Sequence, residues 1–452
     1  MSSHMLSIYV LAAMFLLATL LPINMGVIAF VGAFLVGTLF AGMSTKAIMA
    51  GFPAELFLTL VGITYLFALA QNNGTIDWLV RLGVRLVRGR IAAIPWVMFF
   101  ITAALTGVGA VSPGAVAIVA PIALGFAAKY KISPLMMGLM VVHGAQGGGF
   151  SPISIYGGIT NRVVEKAGLP LSELTTAFAS LGVNLAVAAL LFFTLGGLRL
   201  MREPVVPPER RSVIRTAPVT IAQRGSQVYG DSGDEAEFHA PADDDAAMAA
   251  PAAKRDGSFE QCAMVFGLIL LAVLTLYFRL DIGFVSITIG LVLTLFSPNL
   301  QKRAIGQVSW PEIMLIVGVS TYVGVLDKMG TIDFVGHSVA GLTSPLIAAL
   351  LLCFIGAVVS AFASSTAVLG SLIPLAVPFL QQGTGVSAVG FIAAMAVAST
   401  IVDVSPFSTN GALVLANARG IDRQVFLKQL MIYGGVVTLV APVVVWLLFV
   451  VW

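Results

Sequence analysis

Charged side chains are scarce in this sequence. Asp, Glu, Lys and Arg together make up 10% of its 452 residues, whereas 58% of the residues are hydrophobic. Soluble domains carry roughly 25% charged residues, so this scarcity excludes an ordinary soluble protein and indicates an integral membrane protein. The small net charge of +3 gives no reason to expect nucleic acid as a partner.

The sequence also contains few cysteines and lacks the common motifs of enzymes. Cys262 and Cys353 both stand in apolar segments, where they indicate small core residues and not a disulfide or metal pair. The sequence has no H-E-x-x-H or G-x-S-x-G motif and no paired intramembrane aspartates, so we expect neither an enzyme nor a cofactor. The alternation of polar and apolar residues that a membrane-spanning strand requires is also missing.

Long apolar runs are what the sequence has in abundance. A run of about 18 or more apolar residues is long enough to cross a bilayer as a helix. We therefore predict an all-α integral membrane fold. The predicted apolar helices lie near residues 5–22, 25–43, 54–71, 92–111, 134–160, 173–196, 260–278, 281–298, 311–327, 344–362, 387–415 and 429–451.

One polar stretch interrupts the apolar pattern and divides the chain. It is rich in Pro, Ala and Asp and has too little apolar surface to fold alone. We predict a disordered cytoplasmic linker at 203–257, between a membrane repeat at 1–202 and a second, inverted repeat at 258–452.

The two halves on either side of this stretch are similar in sequence. The tetrapeptide GTID occurs at 74–77 and again at 330–333, and SPISIYGG from Ser151 corresponds to SPFSTNGA from Ser405. Matches in the same order at a nearly constant separation indicate an internal duplication.

Basic residues set the expected orientation, because they concentrate on the cytoplasmic side of membrane proteins. All of the basic clusters can be cytoplasmic only if segments 91–128 and 340–380 each enter and leave the membrane on the same side, as re-entrant hairpins. Each half then crosses the membrane five times, the second half is inverted, and both termini lie outside. Inverted repeats are typical of secondary transporters that bind substrate near the midplane. The clusters are Arg81 to Arg90, Lys129 with Lys131, Arg199 to Arg215, Lys302 with Arg303, and Arg419 to Lys428.

Each half also has two places where a helix should break. The first is the hairpin tip, at Ser112 to Gly114 and at Ser364 to Thr366; the second is a Ser-Pro pair, at Ser151 and at Ser405. Backbone groups freed in lipid are costly unless they face protein, a cavity or a ligand. Freed amides suit a carboxylate, and freed carbonyls and hydroxyls suit sodium. The alternative is that these patterns only kink helices or let them pack closely, but four breaks at matching places favour a ligand site.

Ionisable residues inside the apolar segments are expensive and often functional. Asp403, two residues before Ser405, is the best candidate for a coupling-ion ligand or proton carrier, with a structural carboxylate as the alternative. His143 opens the glycine-rich first break, where helix packing is favoured over substrate contact. Glu55 and Glu312 occupy equivalent places near the ends of two segments, and we expect them to be interfacial anchors.

These motifs resemble the ion transporter superfamily, and within it the divalent anion/sodium symporters and the MatC-type malonate/dicarboxylate carriers. The segments GAVSPGAVAIVAPIALGF and GAQGGGFSPISIYGG look most like the N-terminal module of the MatC carriers. The symporters place a Ser-Asn-Thr motif at each hairpin tip, against the substrate carboxylate and beside a sodium site. Ser364 to Thr366 matches that motif with serine in place of asparagine, whereas Ser112 to Gly114 keeps only the first serine.

The resemblance implies a cation-coupled transporter with elevator-type alternating access, working as a homodimer in the inner (plasma) membrane. The expected substrate is a small dicarboxylate, malonate first and C4-dicarboxylates next, with sodium preferred over a proton as the coupling ion. An anion channel, or a carrier of another anion such as a tricarboxylate or an oxyanion, is the alternative. The expected substrate-binding residues are Ser112, Gly114, Ser151, Ser364, Ser365, Thr366, Ser405, Thr409 and Asn410. The expected cation-binding residues are Ser112, Gly149, Ser151, Ser364, Asp403 and Ser405.

Overall fold

The structure is a computed structural model that describes most of the chain outside the polar stretch. The described residues are 3–21, 23–86, 90–202, 257–340, 344–362, 365–381, 385–418 and 422–452. Every regular element in these ranges is a helix, as the sequence predicts. Nearly all of the predicted linker lies outside the described residues, so its disorder stays a prediction.

Within the described ranges the chain forms α-helices joined by short turns. In chain order they are α1 Ser3–Leu20, α2 Met25–Leu35, α3 Thr45–Met49, α4 Ala54–Asn72, α5 Thr75–Leu86, α6 Ile94–Gly107, α7 Ser112–Tyr130, α8 Pro134–Gly148, α9 Ile155–Lys166, α10 Glu173–Thr194, α11 Gly197–Arg202, α12 Phe259–Leu276, α13 Ile282–Phe296, α14 Gln301–Gly306, α15 Trp310–Lys328, α16 Thr331–Ala340, α17 Pro345–Phe362, α18 Ser365–Gln381, α19 Ala388–Ile401, α20 Thr409–Ala416 and α21 Arg423–Trp446. Short π-helical segments at Val36–Phe40 and Leu447–Val451 extend α2 and α21, and 3₁₀ turns at Ile91–Ala93 and Pro298–Leu300 precede α6 and α14.

Several helices are long and apolar enough to cross a membrane. By length and composition these are α4, α7, α10, α12, α15 and α21, and α1, α2, α6, α13, α17, α18 and α19 are shorter apolar helices. The prediction of an all-α membrane protein is therefore confirmed. The length of α7 alone would allow it to cross, so the re-entrant course of its hairpin stays a prediction.

The predicted breaks lie where the Ser-Pro pairs stand. The apolar segment near 134–160 is divided into α8 and α9, and the segment near 387–415 is divided into α19 and α20. Upstream of each break, two helices pack against each other as a hairpin, α6 with α7 and α17 with α18. The order of hairpin followed by broken helix is thus the same in both halves.

Helices α8 and α19 form the centre of the molecule and are buried along most of their length. Their apolar residues surround the whole helix, which is the pattern of a helix enclosed by other helices. Helix α8 packs against α6, α7 and α10, and α19 packs against α10, α17 and α21. Because both central helices end at a break, the two breaks lie in the interior.

Two further helix pairs join the halves. Helix α2 packs against α15, and α4 packs against α13. Both crossings depend on glycine: a Cβ on Gly26 would lie 1.9 Å from the Met314 carbonyl oxygen, and one on Gly62 would lie 2.6 Å from that of Gly283. Such small residues let helix backbones approach closely within a membrane. We call α2, α4, α13 and α15 the framework.

The two ends of the α6–α7 hairpin lie near the same short helix. The turn at Ile91–Ala93 packs against α11, and Lys131 lines a cavity together with Arg199 of α11. The assignment of the basic clusters to the cytoplasmic side stays a prediction.

We expect cysteines placed at Arg90 and Lys131 both to react with a membrane-impermeant maleimide from the cytoplasmic side. The experiment starts from a variant without Cys262 and Cys353, and it uses oriented membrane vesicles. A cysteine at Pro170, in the exposed turn between α9 and α10, should react from the opposite side. Labelling of the first two positions from opposite sides would contradict the hairpin topology.

Candidate functional site

The second break is built around a buried carboxylate. Asp403 follows α19, and its side chain is 1% exposed. It accepts hydrogen bonds from the backbone N–H of Asn410 at 3.1 Å and from the Asn410 side-chain amide at 2.9 Å. The amide of Gln146, at the end of α8, donates to it at 3.4 Å, and the hydroxyls of Ser365 and Ser408 lie nearby. A buried carboxylate requires such donors, and here they come from α8 and the second break.

Asn410 links this carboxylate to the first hairpin tip. Its amide nitrogen donates to the hydroxyl of Ser112 at 2.8 Å as well as to Asp403. Ser112 is the first residue of α7, so the bond joins the two halves of the chain. The carbonyl oxygen of the Asn410 amide is buried and has no hydrogen-bond partner among the described residues, and the same is true of Gln146 Oε1. Unpartnered buried oxygens next to a carboxylate are what a cation would need as ligands.

Tyr156 brings the second tip into the same cluster. Its hydroxyl lies close to the hydroxyls of Ser112 and Thr366, and the residue is buried. The ring packs against Phe150, with the ring centroids 5.5 Å apart. Residues from both hairpins and both broken helices therefore meet in one place, which we call the tip cluster: Ser112, Gln146, Tyr156, Ser365, Thr366, Asp403, Ser408 and Asn410.

Equivalent serines stabilise the two breaks in the same way. The hydroxyl of Ser154 donates to the carbonyl of Ser151 at 2.7 Å, and the hydroxyl of Ser408 donates to the carbonyl of Ser405 at 2.7 Å. These hydroxyls satisfy carbonyls that the interrupted helices leave free. The duplication seen in the sequence thus extends to local hydrogen bonding.

The predicted site residues fall into two groups. The first group belongs to the tip cluster and consists of Ser112, Ser365, Thr366, Asp403 and Asn410.

The remaining predicted residues have other surroundings. Ser151 donates to the Gly107 carbonyl, and the Gly149 carbonyl accepts from the Gly157 N–H at 3.2 Å. Ser405 is buried, and its hydroxyl accepts from the Phe407 N–H at 3.2 Å. These three residues therefore hold their own breaks together. Gly114 and Thr409 are exposed, and Ser364 lies outside the described residues.

Sequence reasoning missed three members of the tip cluster: Gln146, Tyr156 and Ser408. A signal for Tyr156 was present, because SPISIYGG and SPFSTNGA align it with Asn410. Gln146 is the single amide in the glycine-rich run HGAQGGGFSP. Its role depends on contact with Asp403 across the two halves, which no local pattern reveals.

Two other ionisable residues singled out in the sequence, His143 and Glu55, contact residues outside the tip cluster. His143 is buried, with Nδ1 2.8 Å from Asn184 Oδ1 and Nε2 2.6 Å from the Tyr433 hydroxyl. Both ring nitrogens therefore have protein partners, as the favoured packing role requires. Glu55 forms an ion pair with Arg162 of α9 at the surface.

The tip cluster offers hydroxyl and amide donors for an anion and oxygen atoms for a hard cation. Among the described residues, no group of three or more His, Cys, Asp and Glu side chains could hold a metal ion. A transition-metal centre therefore gains no support from the described part of the chain, whereas a site for a weakly held ion such as sodium needs only carbonyls, hydroxyls and one carboxylate.

Comparison with known protein families adds one observation. Residues 1–149 match the family model of the dicarboxylate carrier protein MatC N-terminus. The matched stretch includes the first hairpin, Ser112 and Gln146, and it ends at the first break. No curated protein matches the chain.

The match supports the resemblance to MatC-type carriers seen in the sequence, for about the first third of the chain. It points to a carrier and not an enzyme. The relation to the divalent anion/sodium symporters stays a prediction.

Proposed function

We propose that this chain is a secondary active transporter for a small dicarboxylate, with malonate favoured and C4-dicarboxylates next. One observation carries the proposal: hydroxyls and amides from both hairpin tips and from the second break meet in a single buried cluster. Polar and ionisable groups buried inside a membrane protein are costly, and they mark sites for a substrate or an ion. The match of residues 1–149 to dicarboxylate carriers supports an anion of that class as the ligand.

In this proposal, hydrogen bonds to the substrate replace hydrogen bonds that residues of the tip cluster make with one another. The hydroxyl of Ser112 accepts from Asn410 at 2.8 Å, and the hydroxyls of Ser365 and Ser360 bond to each other at 2.9 Å. A carboxylate accepts from hydroxyl and amide groups through as many as four lone pairs, and charge-assisted bonds are stronger than neutral ones. If the Ser112–Asn410 contact opened, the hydroxyl of Ser112 and the amide of Asn410 would be free to donate to the substrate.

A cation would then be needed to bring two negative charges into this interior. An ionised Asp403 would add a further negative charge, and an interior-negative potential opposes anion entry by about 2.3 kcal/mol per charge per 100 mV. Two buried oxygens beside Asp403 have no hydrogen-bond partner in the described part of the chain and are suitable ligands: Gln146 Oε1 and Asn410 Oδ1. We propose sodium, rather than a proton, as the ion that binds before the substrate.

In this proposal, alternating access would use two groups of helices, the framework and the helices that carry the tip cluster. The hairpins and broken helices would slide as one body against α2, α4, α13 and α15, carrying the cluster across the membrane. This elevator motion, an inverted arrangement of the two halves and a homodimer in the inner membrane are all part of the proposal.

Uptake by purified protein in liposomes tests the proposed function. Labelled malonate, succinate and citrate are offered separately, with and without an inward sodium gradient. We expect saturable uptake of malonate, weaker uptake of succinate and little uptake of citrate, each greater with sodium. Uptake that never saturates would indicate a channel, and a preference for citrate would indicate a tricarboxylate carrier.

The second tip gives a further prediction. We expect Ser365→Ala combined with Thr366→Ala to lower kcat/KM for malonate about tenfold or more, because two donors to the substrate are lost. Ser371→Ala is the matched control, since Ser371 is a buried serine of the same helix that donates to the Ala367 carbonyl at 2.7 Å. Unchanged uptake in the double variant would contradict the assignment of the tip.

A further inference from the structure

Tyr156 has a position in the tip cluster that its surroundings fix closely. It is the second residue of α9, directly after the first break. Its ring lies against Gly149, where an added Cβ would be 2.8 Å from the ring, and against Phe150. These contacts hold the ring in the interior and direct its hydroxyl to Ser112 on one tip and Thr366 on the other.

The internal duplication gives Tyr156 a counterpart. Aligning SPISIYGG with SPFSTNGA places Tyr156 opposite Asn410. Both residues are buried, and both follow a Ser-Pro break; Asn410 donates to Ser112, and the Tyr156 hydroxyl lies close to it. They differ in size, since a tyrosine side chain carries a whole aromatic ring where asparagine has a short amide.

This difference makes the two ends of the cluster unequal. A second asparagine in place of Tyr156 would leave open the space that the tyrosine side chain fills beside Ser112 and Thr366. The larger side chain therefore leaves less room at its end of the cluster, and its hydroxyl supplies one hydrogen-bonding group there.

We propose that Tyr156 is a specificity-determining residue that restricts transport to short dicarboxylates. Its ring limits the distance between the two substrate carboxylates, and its hydroxyl donates to one of them. This inference rests on the proposed function and goes beyond it by assigning substrate length to one side chain.

Ratios of kcat/KM among malonate, succinate and glutarate test the inference. We expect Tyr156→Asn and Tyr156→Ala to raise the glutarate-to-malonate ratio about tenfold or more, because a pocket discriminates by roughly that factor for each methylene that it can or cannot accommodate. Tyr156→Phe keeps the ring, so it should lower kcat/KM for every acid about tenfold and leave the ratio unchanged.

Tyr433→Phe is the matched control. It also removes a hydroxyl with a hydrogen bond, here to His143, on a half-buried side chain outside the tip cluster. The control should leave the ratio unchanged, and thermal denaturation of each variant identifies those that fold.

The possible failures are distinguishable. If the wild-type protein takes up malonate and the folded Tyr156→Asn or Tyr156→Ala protein loses activity equally for all three acids, the tyrosine is structural and the inference is wrong. If the wild-type protein takes up none of the three acids, the proposed function itself is contradicted and the inference falls with it.

Discussion

We expect the substitution Asp403→Asn to lower sodium-dependent malonate uptake about 100-fold, which is the cost of removing one member of a buried, hydrogen-bonded charged cluster. The change keeps the size of the side chain and removes its charge. Two amides and a backbone N–H donate to Asp403 in the structure. An asparagine would turn its own NH₂ group toward some of these donors, and it would attract a cation far less.

Uptake rates are measured against sodium at fixed pH and against pH at fixed sodium. Asp327→Asn is the control, since Asp327 is an exposed acidic residue in the same half of the chain, and it should behave like the wild type. Unchanged sodium dependence in Asp403→Asn would contradict the role of Asp403. A sodium-independent, acid-stimulated rate that Asp403→Asn abolishes would replace sodium with a proton as the coupling ion.

The second large effect concerns the geometry of the first break. We expect Gly157→Ala to lower the free energy of unfolding by about 3 kcal/mol and to abolish transport. A Cβ on Gly157 would lie 2.1 Å from the Ser151 carbonyl oxygen, so the chain must shift where it doubles back after the Ser-Pro pair. That shift would move Tyr156, the preceding residue, away from both tips.

The neighbouring glycine provides a control within the same helix. A Cβ on Gly158 would meet no atom within 4 Å, so Gly158→Ala should be neutral or stabilise the helix by up to about 1 kcal/mol. Thermal denaturation and malonate uptake are measured for both variants. Equal behaviour of the two would show that the tight turn at the first break is not required for folding or transport.

The positions of most helices could be predicted from the sequence, because apolar length and the Ser-Pro pairs act locally. Every predicted apolar segment contains a helix, and the two breaks lie at Ser151 and Ser405 as expected. The pairing of helices could not be predicted. The contacts of α2 with α15 and of α4 with α13 depend on glycines such as Gly26 and Gly62, whose partners are more than 200 residues away in sequence.

The candidate site was predictable in outline but not in its contacts. The hydroxyls of Ser112, Ser365 and Thr366 and the charge of Asp403 are visible in the sequence as polar groups in apolar segments. Gln146 is visible as well, but nothing local indicates that it meets Asp403 from the other half. The expected roles of Gly114 and Thr409 came from their proximity to motifs in sequence, and both residues are exposed in the structure.

Accumulation of malonate against its own gradient tests the central claim most directly. Liposomes containing the purified protein are loaded with a known concentration of labelled malonate and placed in a medium with the same concentration, and an inward sodium gradient is then imposed at constant pH. The account predicts that internal malonate rises above the external concentration and that it falls back when an ionophore dissipates the sodium gradient. Internal malonate that stays equal to the external concentration under a maintained sodium gradient would contradict a sodium-coupled carrier.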